Sequence, residues 1–210
     1  MASKTGTNSN DVFDMSSLVM GTDETAHSYL ALGGDDVIYG SSFVDFIQGD
    51  AGNDILYGYF GDDALVGQYG NDSLYGGLGG DFIHGGDKND LLDGRDGFDR
   101  LYGGFGNDVY VKVMGQGRDL INDNVSESLV TGYGGGIDKV VLAGISLDQL
   151  VCFISTNGQD LWLSSVSDVA DGVMDDGVVI ENFFQGGGYL IEYVETSDYL
   201  INLGYLFGVS

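Results

Sequence analysis

The chain has 210 residues, with 33 Asp or Glu against 7 Lys or Arg and a formal net charge of −26. That sign excludes nucleic acid as a partner, because phosphate binding draws on Lys and Arg. Hydrophobic residues at 43 % exclude a disordered acidic tail, and 37 Gly with no Pro exclude collagen and proline-rich linkers.

The first ten residues are polar and do not form a Sec signal peptide. No run approaches the roughly 20 apolar residues that span a bilayer. Residues 6–14 read GTNSNDVFD, and 15–30 follow out of register, with Ala26 or His27 where an Asp would stand. The division expected is 1–30 as an N-terminal segment, 31–111 as the main module, 112–195 as a cap and 196–210 as a tail.

From Ala31 the chain cuts into nines without insertion or deletion: ALGGDDVIY, GSSFVDFIQ, GDAGNDILY, GYFGDDALV, GQYGNDSLY, GGLGGDFIH, GGDKNDLLD, GRDGFDRLY and GGFGNDVYV, ending at Val111. Position six is Asp in every block, from Asp36 and Asp45 to Asp99 and Asp108. Position eight is Ile or Leu except for Tyr110, position one is Gly except for Ala31, and position four is Gly except for Phe43 and Lys88. Each block therefore predicts a glycine-rich turn and a short strand. Side chains alternate along a strand, so the position-eight aliphatics point to an interior that only stacked blocks can bury. Two blocks make one turn of a flattened right-handed solenoid, with odd blocks on one sheet and even blocks on the other. The fold class expected is all-β, a right-handed parallel β-roll with a C-terminal β cap.

Residues 31–111 resemble the RTX (repeats-in-toxin), haemolysin-type family, whose GGxGxDxUx nonapeptide is a calcium-binding repeat. Calcium takes six to eight oxygen ligands, carbonyl and carboxylate together. The resemblance implies that each ion sits between turns two blocks apart. It takes carbonyls from positions two and four of one block, carbonyls from positions one and three of the block eighteen residues on, and the position-six carboxylates.

Carried onto this chain, Leu32, Gly34 and Asp36 would share an ion with Gly49, Ala51 and Asp54. Asp50, Gly52 and Asp54 would pair with Gly67, Tyr69 and Asp72. Gln68, Gly70 and Asp72 would pair with Gly85, Asp87 and Asp90, and Gly86, Lys88 and Asp90 with Gly103, Phe105 and Asp108. On the other edge, Tyr59, Gly61 and Asp63 would meet Gly76, Leu78 and Asp81, and Gly77, Gly79 and Asp81 would meet Gly94, Asp96 and Asp99. The turn of Asp45 would meet Gly58, Phe60 and Asp63. The total is about seven ions by repeat logic. A weak or absent ion is expected between Asp45 and Asp63, because Phe43 is costly where φ must be positive. Lys88 raises the same difficulty.

After Val111 the nines stop. Strands are expected at 139–143, 150–155, 160–164, 178–182 and 190–195. The stretches GRDLIN, GIDKVVL, NGQDLWL and VVIENFF resemble the segment after the repeats in haemolysin- and adenylate-cyclase-toxin-like RTX proteins. They are expected to close the open solenoid end, with Trp162, Phe183 and Phe184 packed on its last coil and Asp119 at a terminal ion site. Cys152 reads as a small core residue.

The family resemblance implies a secreted or cell-surface protein exported by the type I apparatus, with calcium-induced folding as its role and 196–210 as a candidate secretion signal. No catalytic constellation is found: the chain has no GxSxG elbow, and nothing in the sequence brings His27 and His84 together with a carboxylate. Two alternatives stand beside this reading. One is an adhesin or glycan- or surface-binding module using an outward stripe of Tyr39, Tyr57, Tyr75 and Tyr102. The other is the non-catalytic tail of a secreted enzyme such as an alginate epimerase, lipase or protease.

Overall fold

The computed structural model describes residues 2–17, 26–122, 137–170, 175–181, 183, 191–203 and 207. The expected strands at 178–182 and 190–195 each have one end outside these residues, as do Phe184, Gly136 and most of the tail.

The nonapeptides become two parallel sheets. Odd blocks supply β4 (Val37–Ser41), β6 (Ile55–Phe60), β8 (Ser73–Leu78), β10 (Leu91–Asp96) and β12 (Val109–Val113). Even blocks supply β5 (Val44–Ala51), β7 (Ala64–Tyr69), β9 (Phe82–Asp87) and β11 (Arg100–Phe105). Within each sheet neighbours pair eighteen residues apart, as in Ile55↔Ser73 and Ala64↔Phe82. The strands run past position nine into positions one to three of the next block, so the turn proper is confined to positions four to six.

One aliphatic per block forms the core. Ile38, Ile47, Leu56, Leu65, Leu74, Ile83, Leu92 and Leu101 are all buried between the sheets. Each is worth roughly 1.5–3 kcal/mol by area, against a backbone ordering cost of roughly 1–2 kcal/mol for every residue of its block. A nine-residue block with one core side chain is therefore poorly supported by apolar burial alone. Tyr110 takes the interior position in the ninth block, and its hydroxyl is satisfied by the Gly103 N–H at 2.8 Å.

The coil stack extends beyond the nine blocks at both ends. At the start, β2 (Val12–Asp14) pairs in parallel with β4, which places 6–14 as a further coil. On the other sheet β3 (Ala26–Leu30) pairs with β5, and β1 (Ala2–Thr5) pairs with β3. At the far end β13 (Arg118–Ile121) stacks on β11 with Arg100↔Leu120, a step of twenty. A tenth block with a two-residue insertion is thus present. The insertion shifts its frame and so hides it from a search at a fixed period of nine. Next, β14 (Asp138–Ala143) stacks on β12.

The cap then changes direction. β17 (Gly177–Ile180) continues the even sheet in parallel, while β16 (Leu161–Ser165) and β15 (Leu150–Ile154) add to it antiparallel. β18 (Ile191–Glu195) extends the odd sheet, with β19 (Leu200–Asn202) antiparallel to it. The short helix α1 (Val166–Ala170) follows β16. Phe183 is fully buried, but Trp162 lies on the outer face, with the Arg118 guanidinium of the tenth block 5.3 Å from its ring. Cys152 is not a core residue: it is exposed, because β15 is the sheet's edge strand and its alternation turns Cys152 outward. Among the described residues no helix is long and apolar enough to cross a membrane.

Candidate metal centres

The turns are built on a backbone alternation. Position two has positive φ at Leu32, Asp50, Tyr59, Gln68, Gly77, Gly86, Arg95 and Gly104, and position four has it at Gly34, Gly52, Gly61, Gly70, Gly79, Lys88, Gly97 and Gly106. Lys88 therefore enters the left-handed region, at φ 83. The second block does not. Neither Ser41 nor Phe43 has positive φ, so that turn gives up the conformation that a bulky side chain at position four penalises.

The alternation aims carbonyls into the gap between stacked turns. A Cβ on Gly52 would strike the Gly34 carbonyl oxygen, one on Gly70 that of Gly52, and one on Gly97 that of Gly79, so position-four carbonyls point toward the later coil. Position-two carbonyls of Tyr59 and Gln68 point the same way, against Gly77 and Gly86. Carbonyls of the later coil point back: position-one oxygens of Gly76, Gly85 and Gly94 face Gly58, Gly67 and Gly76. At position three, the Tyr69 and Leu78 oxygens accept the N–H groups of Gly52 and Gly61 at 3.0 Å.

The aspartates close the same gap. In every block but the second, the position-six Oδ1 accepts the N–H of the Asp one coil earlier: Asp54 N–H to Asp72 and Asp63 N–H to Asp81, at 2.7 and 2.8 Å, and so along both edges. The second oxygen, Oδ2, of Asp36, Asp54, Asp63, Asp72, Asp81, Asp90, Asp99 and Asp108 is buried without a hydrogen-bond partner. From Asp54 onward it lies against the position-one glycine of its own block, where a Cβ on Gly49, Gly67 or Gly85 would collide with it. That contact explains the glycine at position one.

A buried carboxylate oxygen without a partner is costly, and here the cost repeats on every block but one. Burial raises Asp54, Asp81 and Asp108 from the ordinary 3.8 to about 7, Asp63 and Asp90 to about 8, and Asp72 to about 6. The backbone N–H each accepts works in the opposite direction. Neighbouring rungs add to the rise, as Asp72 and Asp36 do for Asp54 and Asp108 does for Asp90. A hard divalent cation bound by inward carbonyls and one or two carboxylates would relieve this, and calcium is the cation such an oxygen set suits. Among the described residues no three His, Cys, Asp or Glu side chains converge, as expected when most ligands are backbone carbonyls.

Asp45 is the exception. Its Oδ2 accepts the Ser41 N–H at 2.6 Å, its Oδ1 accepts the Ser41 hydroxyl at 3.2 Å, and His27 Nδ1 lies 3.1 Å from Oδ1. His27 pairs with Asp45 in register, so it occupies position six one coil earlier. Protein donors already serve this carboxylate.

Three features escape a reading of the sequence alone. The odd-edge ladder continues at both ends: Asp11 N–H donates to Asp36 at 2.6 Å, Asp108 N–H to Asp138 at 2.7 Å, and Asp138 N–H to Glu192 at 2.7 Å. The IDKV run repeats the Asp-x-aliphatic signal and could have revealed Asp138, whereas Glu192 carries no such signal. Position five on odd blocks is Asp35, Asn53, Asn71, Asn89 and Asn107, and these form a second outer ladder, with the Asn71 N–H donating to Asn53 Oδ1 at 2.9 Å. Lys112, which no motif marks, is buried beside Asp119.

The tyrosine stripe divides between faces. Tyr39, Tyr57 and Tyr75 stack on the odd sheet, with ring centroids 5.3 and 4.9 Å apart. Tyr102 lies on the even sheet near Phe82 and His84.

A parallel β-roll of nine-residue blocks with calcium-type turns is the class that this geometry defines. Comparison with known families matches residues 30–65, 57–87 and 84–111 to the RTX calcium-binding nonapeptide repeat (4 copies). The chain carries RTX calcium-binding repeats across residues 30–111. No curated protein shows significant similarity to the chain.

Proposed function

We propose that the chain is a non-catalytic module whose folding is driven by calcium, and that this coupling serves export and stability outside the cell. The observation that carries the reading is the unpaired, buried Oδ2 on eight of the nine position-six aspartates. Without a cation these oxygens oppose folding, and with one they become ligands, so binding free energy becomes folding free energy. About seven ions are expected from the paired turns by repeat logic, with the Asp45–Asp63 gap weakest because Asp45 is already engaged. Where calcium is scarce, as in a bacterial cytosol, the chain would stay unfolded and competent for type I export. It would fold on reaching an extracellular or cell-surface site.

The test is far-UV circular dichroism during a calcium titration of an EDTA-treated sample, with magnesium as control. A cooperative, calcium-specific coil-to-β transition is expected. Full β structure in EDTA would refute the folding switch. In the tyrosine column, Tyr39, Tyr57 and Tyr75 stack ring on ring, so the inner faces are occupied by each other and little favours glycan stacking there.

A further inference from the structure

The even-edge ladder ends differently from the odd one. After Asp108 the odd edge passes to further carboxylates, Asp138 and Glu192. After Asp99 the even edge meets an ammonium. Lys112 is 2 % exposed, its Nζ is 3.1 Å from Asp119 Oδ2, and it donates to the Gln116 carbonyl at 3.3 Å. The Asp119 carboxylate also meets that of Asp99, so the ammonium stands beside two carboxylates. Lys112 also acts electrostatically on Asp99.

Gln116 and Asp119 hold defined places in the repeat. Gly97 N–H donates to the Gln116 carbonyl at 2.9 Å, the same bond that Gly52 makes to Tyr69 and Gly61 to Leu78. Gln116 is therefore position three of the tenth block and Asp119 is position six. A position-three carbonyl and a position-six carboxylate are the oxygens that a later coil offers to the gap on every other turn. Lys112 itself sits on the two-residue insertion that precedes this block, and strand alternation turns it inward next to Tyr110.

We infer that the Lys112 ammonium replaces the divalent ion in the gap between the eighth and tenth blocks, so the even edge ends in a tethered cation instead of calcium. The inference rests on the calcium reading of the repeats. Lysine brings its charge without a binding equilibrium, so this end of the ladder is neutralised at any calcium concentration. The gap then has no need of the two-carboxylate, multi-carbonyl shell that a free ion requires.

The test is the calcium content of the full chain, by equilibrium dialysis in saturating calcium and atomic emission. The K112M variant should bind one more ion per chain than the wild type, and K112M/D119N should return to the wild-type number. Lys112→Gln, which keeps a donor for the Gln116 carbonyl, serves as the second neutral variant and should also gain one ion. A folded K112M or K112Q with the wild-type count overturns the inference. Failure of both to fold in saturating calcium overturns it too, because calcium would then not have replaced the ammonium. A wild-type chain that binds no calcium would instead remove the reading beneath it.

Discussion

Acid should fold the roll in the absence of calcium. Asp54, Asp63, Asp72, Asp81, Asp90 and Asp108 lie at about 6 to 8 in the folded chain, against an ordinary 3.8. A group whose folded value is raised costs stability when it ionises, so stability is highest below about 4 and falls as pH rises toward 8. Each tenfold difference is about 1.4 kcal/mol. The turns border solvent, and screening reduces the penalty to about 2 kcal/mol per group. Six such groups together cost on the order of 10 kcal/mol at pH 8, as much as the whole stability of a typical domain. The assay is circular dichroism in EDTA from about pH 8 to about pH 5, above the sequence pI of 4.1, with sedimentation to exclude aggregates. The β signal should rise steadily as the pH falls, and in saturating calcium it should be flat. A chelated chain equally folded at both ends, or more folded at the alkaline end, would refute the assignment of the carboxylates as the opposing term.

Two substitutions separate charge from geometry. Asp72→Asn keeps an acceptor for the Asp54 N–H and removes one charge. It should favour the folded state in EDTA by about 2 kcal/mol, seen as acid-induced folding that begins at a higher pH, while lowering the calcium count and the stabilisation by calcium. Loss of stability in both conditions would argue against a buried-charge penalty. Lys88→Gly frees a left-handed position now held by a side-chain-bearing residue at φ 83. In saturating calcium it should gain about 1 kcal/mol, seen as a higher thermal midpoint. A loss would mean that the lysine charge matters more than its backbone strain.

The block logic was legible because one coil is two blocks. The pattern Asp at six and aliphatic at eight, spaced by nine, maps directly onto a stack with a period of eighteen. Core residues such as Leu56 and Leu74, and gap residues such as Asp54 and Asp72, could therefore be placed from the period alone. Phe43 was legible as a turn problem for the same reason, although its remedy was not. The second block changes its backbone and satisfies Asp45 with Ser41 and His27.

Residues that join the stack by unequal steps belonged to the tertiary structure. Asp138 reaches Asp108 across thirty residues and Glu192 reaches Asp138 across fifty-four, and no local period marks such partners. Residue type placed Cys152 inside, but exposure follows strand order, and β15 is an edge. Lys112 shows the same division. Its charge and position are plain in the sequence, but that it lies in a gap between coils follows only from how an insertion of two residues is absorbed. The periodic part of this protein was written in the sequence because each block repeats one set of backbone and side-chain demands. The ends were decided by tertiary structure because there each coil must meet a partner unlike itself.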